Sequence, residues 1–249
     1  MEEVIIDANN NSLNIYQDIF GDNNKIRIRT SYGAKRTQKN PKKINIKTNS
    51  EMFIPLLPYK LKIQSKSGLV MLKNIILEQL ELESDSGNTI IENAIIKNLS
   101  ITSVHGNVSL ANTMISDATI MNTNGNIDIM NSIIRSQELS NVNGQINLSG
   151  LGNVVSYINN VNGKIEGKNV GIKELDTKSL NSYFNFRNLT CDLCYAESKN
   201  SSLLSFHDSK DTYEVIHEQK PDILSVTSSD ENKQLVLLRN GKITIKSKK

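Results

Sequence analysis

The chain has 249 residues, a formal net charge of +3, no tryptophan and only 5% aromatic residues. This length is enough for one or two domains with a sizeable core, and the scarcity of aromatic side chains favours thin, layered packing. Residues 1–20 open with two acids and lack a continuous apolar core, and no stretch approaches the roughly 18–20 apolar residues of a membrane-spanning helix. We therefore expect neither a signal peptide nor a membrane span. We expect the protein to be cytoplasmic or peripherally associated with the envelope.

The first element in chain order is the stretch "KIRIRTSYG", where Ile26 and Ile28 precede Gly33 as they would in a short strand before a turn. A basic cluster, "AKRTQKNPKK", then interrupts the pattern before "KINIKTN" resumes it with Ile44 and Ile46. The cluster predicts a loop over 34–43. Its cations are candidates for contact with an anionic partner such as phosphate or anionic lipid, and the plainer interpretation is a solvated loop. They are Lys35, Arg36, Lys39, Lys42 and Lys43.

From residue 61 onward, the sequence repeats every nineteen residues. Six glycines keep this spacing without an insertion: Gly68, Gly87, Gly106, Gly125, Gly144 and Gly163. Six residues after each glycine stands an asparagine, with Gly150 as the exception: Asn74, Asn93, Asn112, Asn131 and Asn169. An invariant repeat of this length indicates a repeat architecture.

Apolar residues alternate with polar ones inside each repeat, as in Leu61-Lys62-Ile63 and Ile127-Asp128-Ile129. That is the period of a β-strand, and each unit reads as three very short strands joined by turns. A unit this small cannot bury its own apolar face, whereas stacked units bury a continuous column. The sequence thus predicts an all-β, single-stranded parallel β-solenoid with one coil per repeat. Six coils would span roughly 29 Å at a spacing of about 4.8 Å; an antiparallel sandwich is the alternative.

The repeat markers have structural interpretations. Glycine supplies the positive φ that a tight corner requires. Asparagine tolerates the left-handed conformation of turns, and equivalent amides on successive coils can form a hydrogen-bonded ladder. We therefore predict that the six glycines are corners and that the asparagines form a structural ladder.

The repeat continues past Gly163, with Ser182 in the glycine position of a seventh coil, followed by Phe184 and Phe186, and with Ser201 in a fainter eighth coil. We assign residues 1–207 to a solenoid of seven to eight coils, beginning near residue 12 and regular over 61–190. Residues 208–249 are predicted to form a C-terminal cap, since an open solenoid end exposes unpaired strand edges. Asn240-Gly241 predicts a hairpin turn in this cap.

Residues that carry chemistry are scattered. His105 occupies a polar turn position, and three dispersed histidines make no metal site. Cys191 and Cys194 form the single C-x-x-C, and the repeat predicts that both point into the core as small hydrophobes. Asp85, Asp117 and Asp128 fall at different positions of the repeat and do not align, and Glu78, Glu81 and Glu83 alternate with apolar residues as on a solvated strand face. We expect no catalysis, no metal and no cofactor.

The recurring unit, as in "LKIQSKSGLVMLKN", "LSITSVHGNVSLAN" and "ATIMNTNGNIDIMN", resembles the bacterial adhesin-type β-strand-repeat family, which is common in low-GC Gram-positive bacteria. The resemblance implies a right-handed solenoid and a link to the cell envelope or to surface adhesion, and it implies no catalytic residues. The leading functional prediction is a non-catalytic scaffold or interaction module that engages a protein or glycan. The alternatives are a carbohydrate-active solenoid enzyme and a filament that assembles through its ends. The lack of a nucleic-acid-binding module or of aromatics interleaved with the cations argues against nucleic acid.

Overall fold

The computed structural model describes residues 3–18, 25–39, 42–56, 59–198, 204–207, 212–219, 223–228, 234–239 and 241–248. The regular elements of these residues are all β-strands. The predicted all-β class is confirmed.

Eighteen strands follow one another within the described residues. The first nine are β1 (Glu3–Asn9), β2 (Leu13–Asp18), β3 (Lys25–Thr30), β4 (Lys35–Lys39), β5 (Lys43–Asn45), β6 (Ser50–Pro55), β7 (Lys60–Ser65), β8 (Val70–Ser86) and β9 (Thr89–His105). The others are β10 (Val108–Ala111), β11 (Met114–Asn124), β12 (Ile127–Met130), β13 (Ile133–Ser198), β14 (Leu204–His207), β15 (Thr212–Gln219), β16 (Ile223–Ser228), β17 (Gln234–Arg239) and β18 (Gly241–Lys248).

Successive repeats stack as parallel strands in register, so that Leu61 pairs with Leu80 and Leu80 pairs with Leu99. The predicted parallel β-solenoid is confirmed, with about seven coils of about nineteen residues. Pairing between β8 and β9 is interrupted at Asn74 and Glu78, which divides the coil into three short segments. We call the sides of the solenoid built by segments equivalent to 70–73, 75–77 and 79–84 the first, second and third face.

The core lies inside the three faces and follows from the alternation along each segment. Val70, Leu72, Leu77, Leu80 and Leu82 point inward and are almost completely buried. Their equivalents in the neighbouring coils are buried as well and form one continuous cluster. Burial of each such side chain contributes about 1.5–3 kcal/mol, and stacking provides the partner surface that a single coil lacks.

The N-terminal strands already form a coil, which begins at Glu3 rather than near residue 12. Val4 pairs in parallel with Leu61 and Leu13 pairs with Val70, a separation of three repeats. The backbone of Asn11 lies where other coils have their corner glycine, since a Cβ on Gly68 would approach the Asn11 carbonyl to 2.8 Å. The repeat therefore extends to the start of the described chain, with asparagine in the glycine position.

Residues 25–55 double back and close this end of the solenoid. Strands β5 and β6 lie parallel to β1 and β2 on the side away from β7 and β8. Strand β3 is antiparallel to both β4 and β6. The expectation that Ile26 and Ile28 belong to a parallel coil strand is thus wrong. Hydrogen bonds between Thr30 and Ala34 close a hairpin, and Gly33 there has a φ of +81°.

The C-terminal strands meet the last coils. Strand β14 pairs in parallel with residues 184–187, and Phe184 pairs with Leu204, twenty residues further on. Strand β18 lies antiparallel to residues 193–198, and β17 lies antiparallel to β14. Ser201 lies outside the described residues. The boundary between solenoid and cap at residue 207 stays a prediction.

An antiparallel hairpin is present in the C-terminal region, at a different place from the expected one. It joins β16 to β17. Strand β17 has β16 and β14 as neighbours, and strand β18 has β13 and β15. A strand has two edges, and both edges of β17 and of β18 are already paired, so these two strands do not pair with each other around Asn240-Gly241. The hairpin therefore lies before this dipeptide. Asn240 itself lies outside the described residues.

Candidate functional site

The corner glycines are required for two physical reasons. Their φ angles lie between +109° and +143°, in the region that side-chain-bearing residues rarely adopt. They also stack backbone on backbone. A Cβ added to Gly87, Gly106, Gly125, Gly144 or Gly163 would stand 1.9–2.1 Å from the carbonyl oxygen of the glycine one coil earlier. The sequence indicated the first reason and gave no sign of the second.

The asparagines after these corners also have positive φ. Asn74, Asn93, Asn112, Asn131 and Asn169 have φ between +48° and +54°, and Gly150 takes the same place with +64°. Asn93 donates from its side-chain amide to the Asn74 amide oxygen at 3.2 Å. The backbone conformation accounts for asparagine here, because this residue enters the left-handed region more readily than others.

A longer amide ladder runs through the column immediately before the corner position, which is glycine or, in the seventh coil, Ser182. Asn143, Asn162 and Asn181 each donate to the amide oxygen of the asparagine one coil earlier, at 2.9 Å. The exposed His105 stands at the start of this column, with its Nε2 3.4 Å from the Asn124 amide nitrogen. The recurrence of asparagine before the glycine was the available signal for this ladder.

A third asparagine column is buried inside the corner. Asn122 and Asn141 donate from their amides to the backbone oxygens of Gly106 and Gly125 at 3.0 and 2.9 Å. Three earlier coils have serine in the same buried position: Ser65, Ser84 and Ser103. The abundance of asparagine is therefore largely explained by the structure of the corners and turns, and no bound ligand is required to account for it.

Three charged residues of the third face, in the coils around residues 62–83, are paired with one another. Lys62 contacts both Glu81 and Glu83, and Gln64 donates to Glu83 at 3.0 Å. Hydrogen bonds from Gln64 and Lys62 lower the pKa of the Glu83 carboxyl, and the bonds to Glu81 and Glu83 raise the pKa of Lys62. These are the shifts of exposed ion pairs, and they do not indicate a carboxyl prepared for proton transfer.

Three other acidic residues noted in the sequence each have a partner of their own. Arg135 binds Asp117 at 3.0 Å, Asn147 donates to Asp128, and Lys97 pairs with Glu78. Among the described residues, no group of three or more His, Cys, Asp or Glu side chains converges to hold a metal ion. Cys194 is buried, and the side chain of Cys191 lies outside the described part of the chain.

The second face carries an apolar column on its outer surface. One outward-facing residue per coil, eight after the corner glycine, is a large apolar side chain in four successive coils, with 46–61% of its surface exposed: Ile76, Ile95, Met114 and Ile133. At a coil spacing of about 4.8 Å the four form a stripe roughly 14 Å long. It ends at Gly152, whose position is open. We call these four residues the apolar column. Their exposure was not predicted from the sequence.

The third face carries a shallow groove around Tyr157. Glu138 and Asp176 lie one coil to either side of this ring, and Asn159 and Lys178 complete a groove of about 270 Å³. In contrast to Glu81 and Glu83, neither Glu138 nor Asp176 has a hydrogen bond or ion pair within the described part of the chain. The groove thus combines an exposed aromatic ring with two carboxylates that have no hydrogen bond or ion pair within the described residues.

The predicted basic loop is a strand for most of its length. Lys35, Arg36 and Lys39 belong to β4, the edge strand of the N-terminal hairpin, while Lys43 begins β5 and Lys42 precedes it. Their side chains are exposed where the structure describes them, and the Lys39 side chain lies outside that description. The cations are therefore brought together at the closed end of the solenoid by strand pairing.

The geometry defines a class of protein: a β-solenoid repeat protein with structural corners and, among its described residues, no cluster of side chains that could hold a metal ion. The chain belongs to the family described as Toastrack DUF4097, which it matches over residues 2–246. The resemblance drawn from the repeat is confirmed at the level of this repeat-like family without an assigned activity. No curated protein and no solved structure matched the chain. Within the described residues, no helix is long and apolar enough to cross a membrane.

Proposed function

We propose that the protein is a non-catalytic interaction module of the bacterial envelope that binds a partner protein through the second face of its solenoid. The observation that carries the proposal is the apolar column. Four exposed large apolar residues in one row are unusual on a free surface, where such residues are normally scattered singly. The exposed amides of Asn74, Asn93, Asn112 and Asn131 border the column and supply polar groups at its rim.

A crosslinking experiment tests this proposal in cells that express the protein. We expect a photoreactive residue at position 95 to form a discrete adduct with one partner, and the substitution Met114→Lys to abolish that adduct. Ser100, an exposed residue on the third face of the same coil, provides the matched control and should give no adduct. Equal adducts from both positions, or an adduct at 95 that survives Met114→Lys, would contradict the proposal.

A glycan is the second candidate partner, and the groove around Tyr157 favours it. Aromatic rings flanked by carboxylates and amides can stack against a sugar and accept hydrogen bonds from its hydroxyl groups. We expect binding to oligosaccharides, measured by saturation-transfer NMR, to fall at least tenfold in Tyr157→Ala and to be unchanged in Tyr16→Ala. No transfer from any neutral, amino or acidic oligosaccharide would refute this site, and cleavage of one would favour the enzyme hypothesis.

The two solenoid ends give the filament hypothesis less support. Growth by stacking would continue the parallel coils, yet β3 and β4 at one end and β17 and β18 at the other run antiparallel to their neighbours. Antiparallel strands present a hydrogen-bonding pattern that does not match a parallel coil edge.

A further inference from the structure

The charge of the chain is concentrated at the closed N-terminal end. Residues 25–50 contain nine Lys and Arg and not one Asp or Glu. The other 20 of the 29 Lys and Arg therefore stand against all 26 Asp and Glu, which gives the rest of the chain a net charge of −6. The small net charge of +3 is therefore the sum of +9 in residues 25–50 and −6 in the rest of the chain.

Strands β3 and β4 bring cations of this segment together on one surface. Ile26 and Ile28 of β3 are buried in the apolar core cluster, so the alternate residues of the strand face outward. Lys35 lies opposite Arg29 in the antiparallel pairing and shares its side of the hairpin. We call the outward surface of β3 and β4 the cationic plate.

The positive charge of the plate is only partly neutralised. Arg27 pairs with the buried Asp18 and lies over the Phe53 ring, and Arg29 is 3.9 Å from Glu51. Lys35 is exposed and has no hydrogen bond or ion pair within the described part of the chain. Arg36 is exposed too, but it lies opposite the buried Ile28 and therefore on the other side of the hairpin. The plate thus presents an uncompensated cation, Lys35, at its outermost strand, directly opposite Arg29.

An exposed aromatic residue stands at the tip of the same hairpin. Tyr32 lies in the turn between β3 and β4, with Arg29 before it and Lys35 after it, and 86% of its surface is exposed. A tyrosine in this setting has no packing role in the fold. Tyrosine rings flanked by cations are favoured where a lipid headgroup layer meets water.

We propose that the cationic plate docks the protein onto an anionic lipid bilayer, with Arg29 and Lys35 at the headgroup phosphates and Tyr32 in the interface. Clustered Lys and Arg beside an interfacial tyrosine match an anionic headgroup layer, whereas the surfaces that bind single-stranded nucleic acid carry several stacked aromatic rings. The proposal extends the envelope role proposed above. Vesicle binding and partner crosslinking are separate measurements, so either can fail while the other succeeds.

Vesicle sedimentation tests the docking. We expect the full chain to bind vesicles of 70% phosphatidylcholine and 30% phosphatidylglycerol, to ignore pure phosphatidylcholine, and to dissociate in 0.5 M salt, because salt screens exposed charges. The double variant Arg29→Glu/Lys35→Glu should reduce partitioning about 30-fold or more. The matched control is Lys168→Glu/Lys173→Glu, which makes the same change of net charge on exposed residues of the distant coils and should bind as the unaltered chain does.

A fluorescent reporter separates interfacial contact from general attraction. Since the chain has no tryptophan, Tyr32→Trp introduces a single one at the tip. Its emission should shift to shorter wavelength on anionic vesicles. An unshifted emission, equal losses in both charge-reversal variants, or duplex DNA binding under conditions in which vesicles do not bind would overturn the proposal. So would a chain that binds no vesicles, for which the cations would only protect the β4 edge from pairing with another copy.

Discussion

Replacing Gly125 with alanine should lower the free energy of unfolding by about 3–5 kcal/mol, near the upper limit for a single substitution. The new Cβ would stand 2.0 Å from the backbone oxygen of Gly106, and no rotation of a side chain can relieve an overlap with backbone. The φ of +137° adds about 1–3 kcal/mol of strain. Chemical denaturation would measure the loss, and amide exchange should place the faster opening in the coils on either side of residue 125.

Gly152 provides the control for this prediction. It lies in the same run of coils, has no atom within 4 Å of the place where a Cβ would stand, and does not have a positive φ. Gly152→Ala should therefore change the unfolding free energy by no more than about 0.5 kcal/mol. Similar losses in both variants would mean that the corner does not depend on close backbone stacking.

The coil architecture was predictable because equivalent positions of a solenoid have the same structural requirements in every coil. Every coil must repeat the same corner, so the glycine and asparagine markers recur at one interval, and the alternation of apolar residues gives the strands. The same logic predicted the inward positions of Phe184 and Phe186, which are buried. Local pattern and stacking agree at each of these positions.

The N-terminal end was not predictable by the same logic. Alternating apolar residues indicate a strand but do not reveal whether its partner runs parallel or antiparallel. Ile26 and Ile28 follow the coil pattern and yet lie in an antiparallel hairpin. Val4 and Leu13 belong to the first complete coil and pair with residues that lie three repeats further along the chain. No periodicity shows that the chain doubles back between them.

The candidate surfaces were the least predictable part. Ile76, Ile95 and Met114 recur at the repeat interval, and an apolar residue at that interval is equally typical of the core. Their exposure depends on the turn at the preceding asparagine, which sets which neighbours point inward. The charge of the basic cluster is visible in the sequence, but only the pairing of β4 with β3 shows which of its cations share a surface.

Gly167 shows how a departure from the repeat can be compensated one coil later. Its position is apolar in the earlier coils, as at Leu148, and a glycine there suggests a thinned wall. The structure fills the space with Phe186, the equivalent residue of the next coil, which is fully buried. A Cβ on Gly167 would stand 2.1 Å from Cδ1 of the Phe186 ring. The two residues are therefore one packing unit that spans two coils.

Replacing Phe186 with alanine should cost about 4–5 kcal/mol, at the high end for a large core residue, because Gly167 offers no side chain to reduce the cavity. Gly167→Ala should cost about 1–3 kcal/mol in the unaltered chain, since the ring must move, and much less when combined with Phe186→Leu. Phe184→Leu, one column away and stacked on Ile165, is the matched control and should leave the cost of Gly167→Ala unchanged. Denaturation of the single and double variants gives the coupling energies. Equal coupling to Phe184 and Phe186 would show that the last coils yield as a whole and that Phe186 does not specifically fill the space above Gly167.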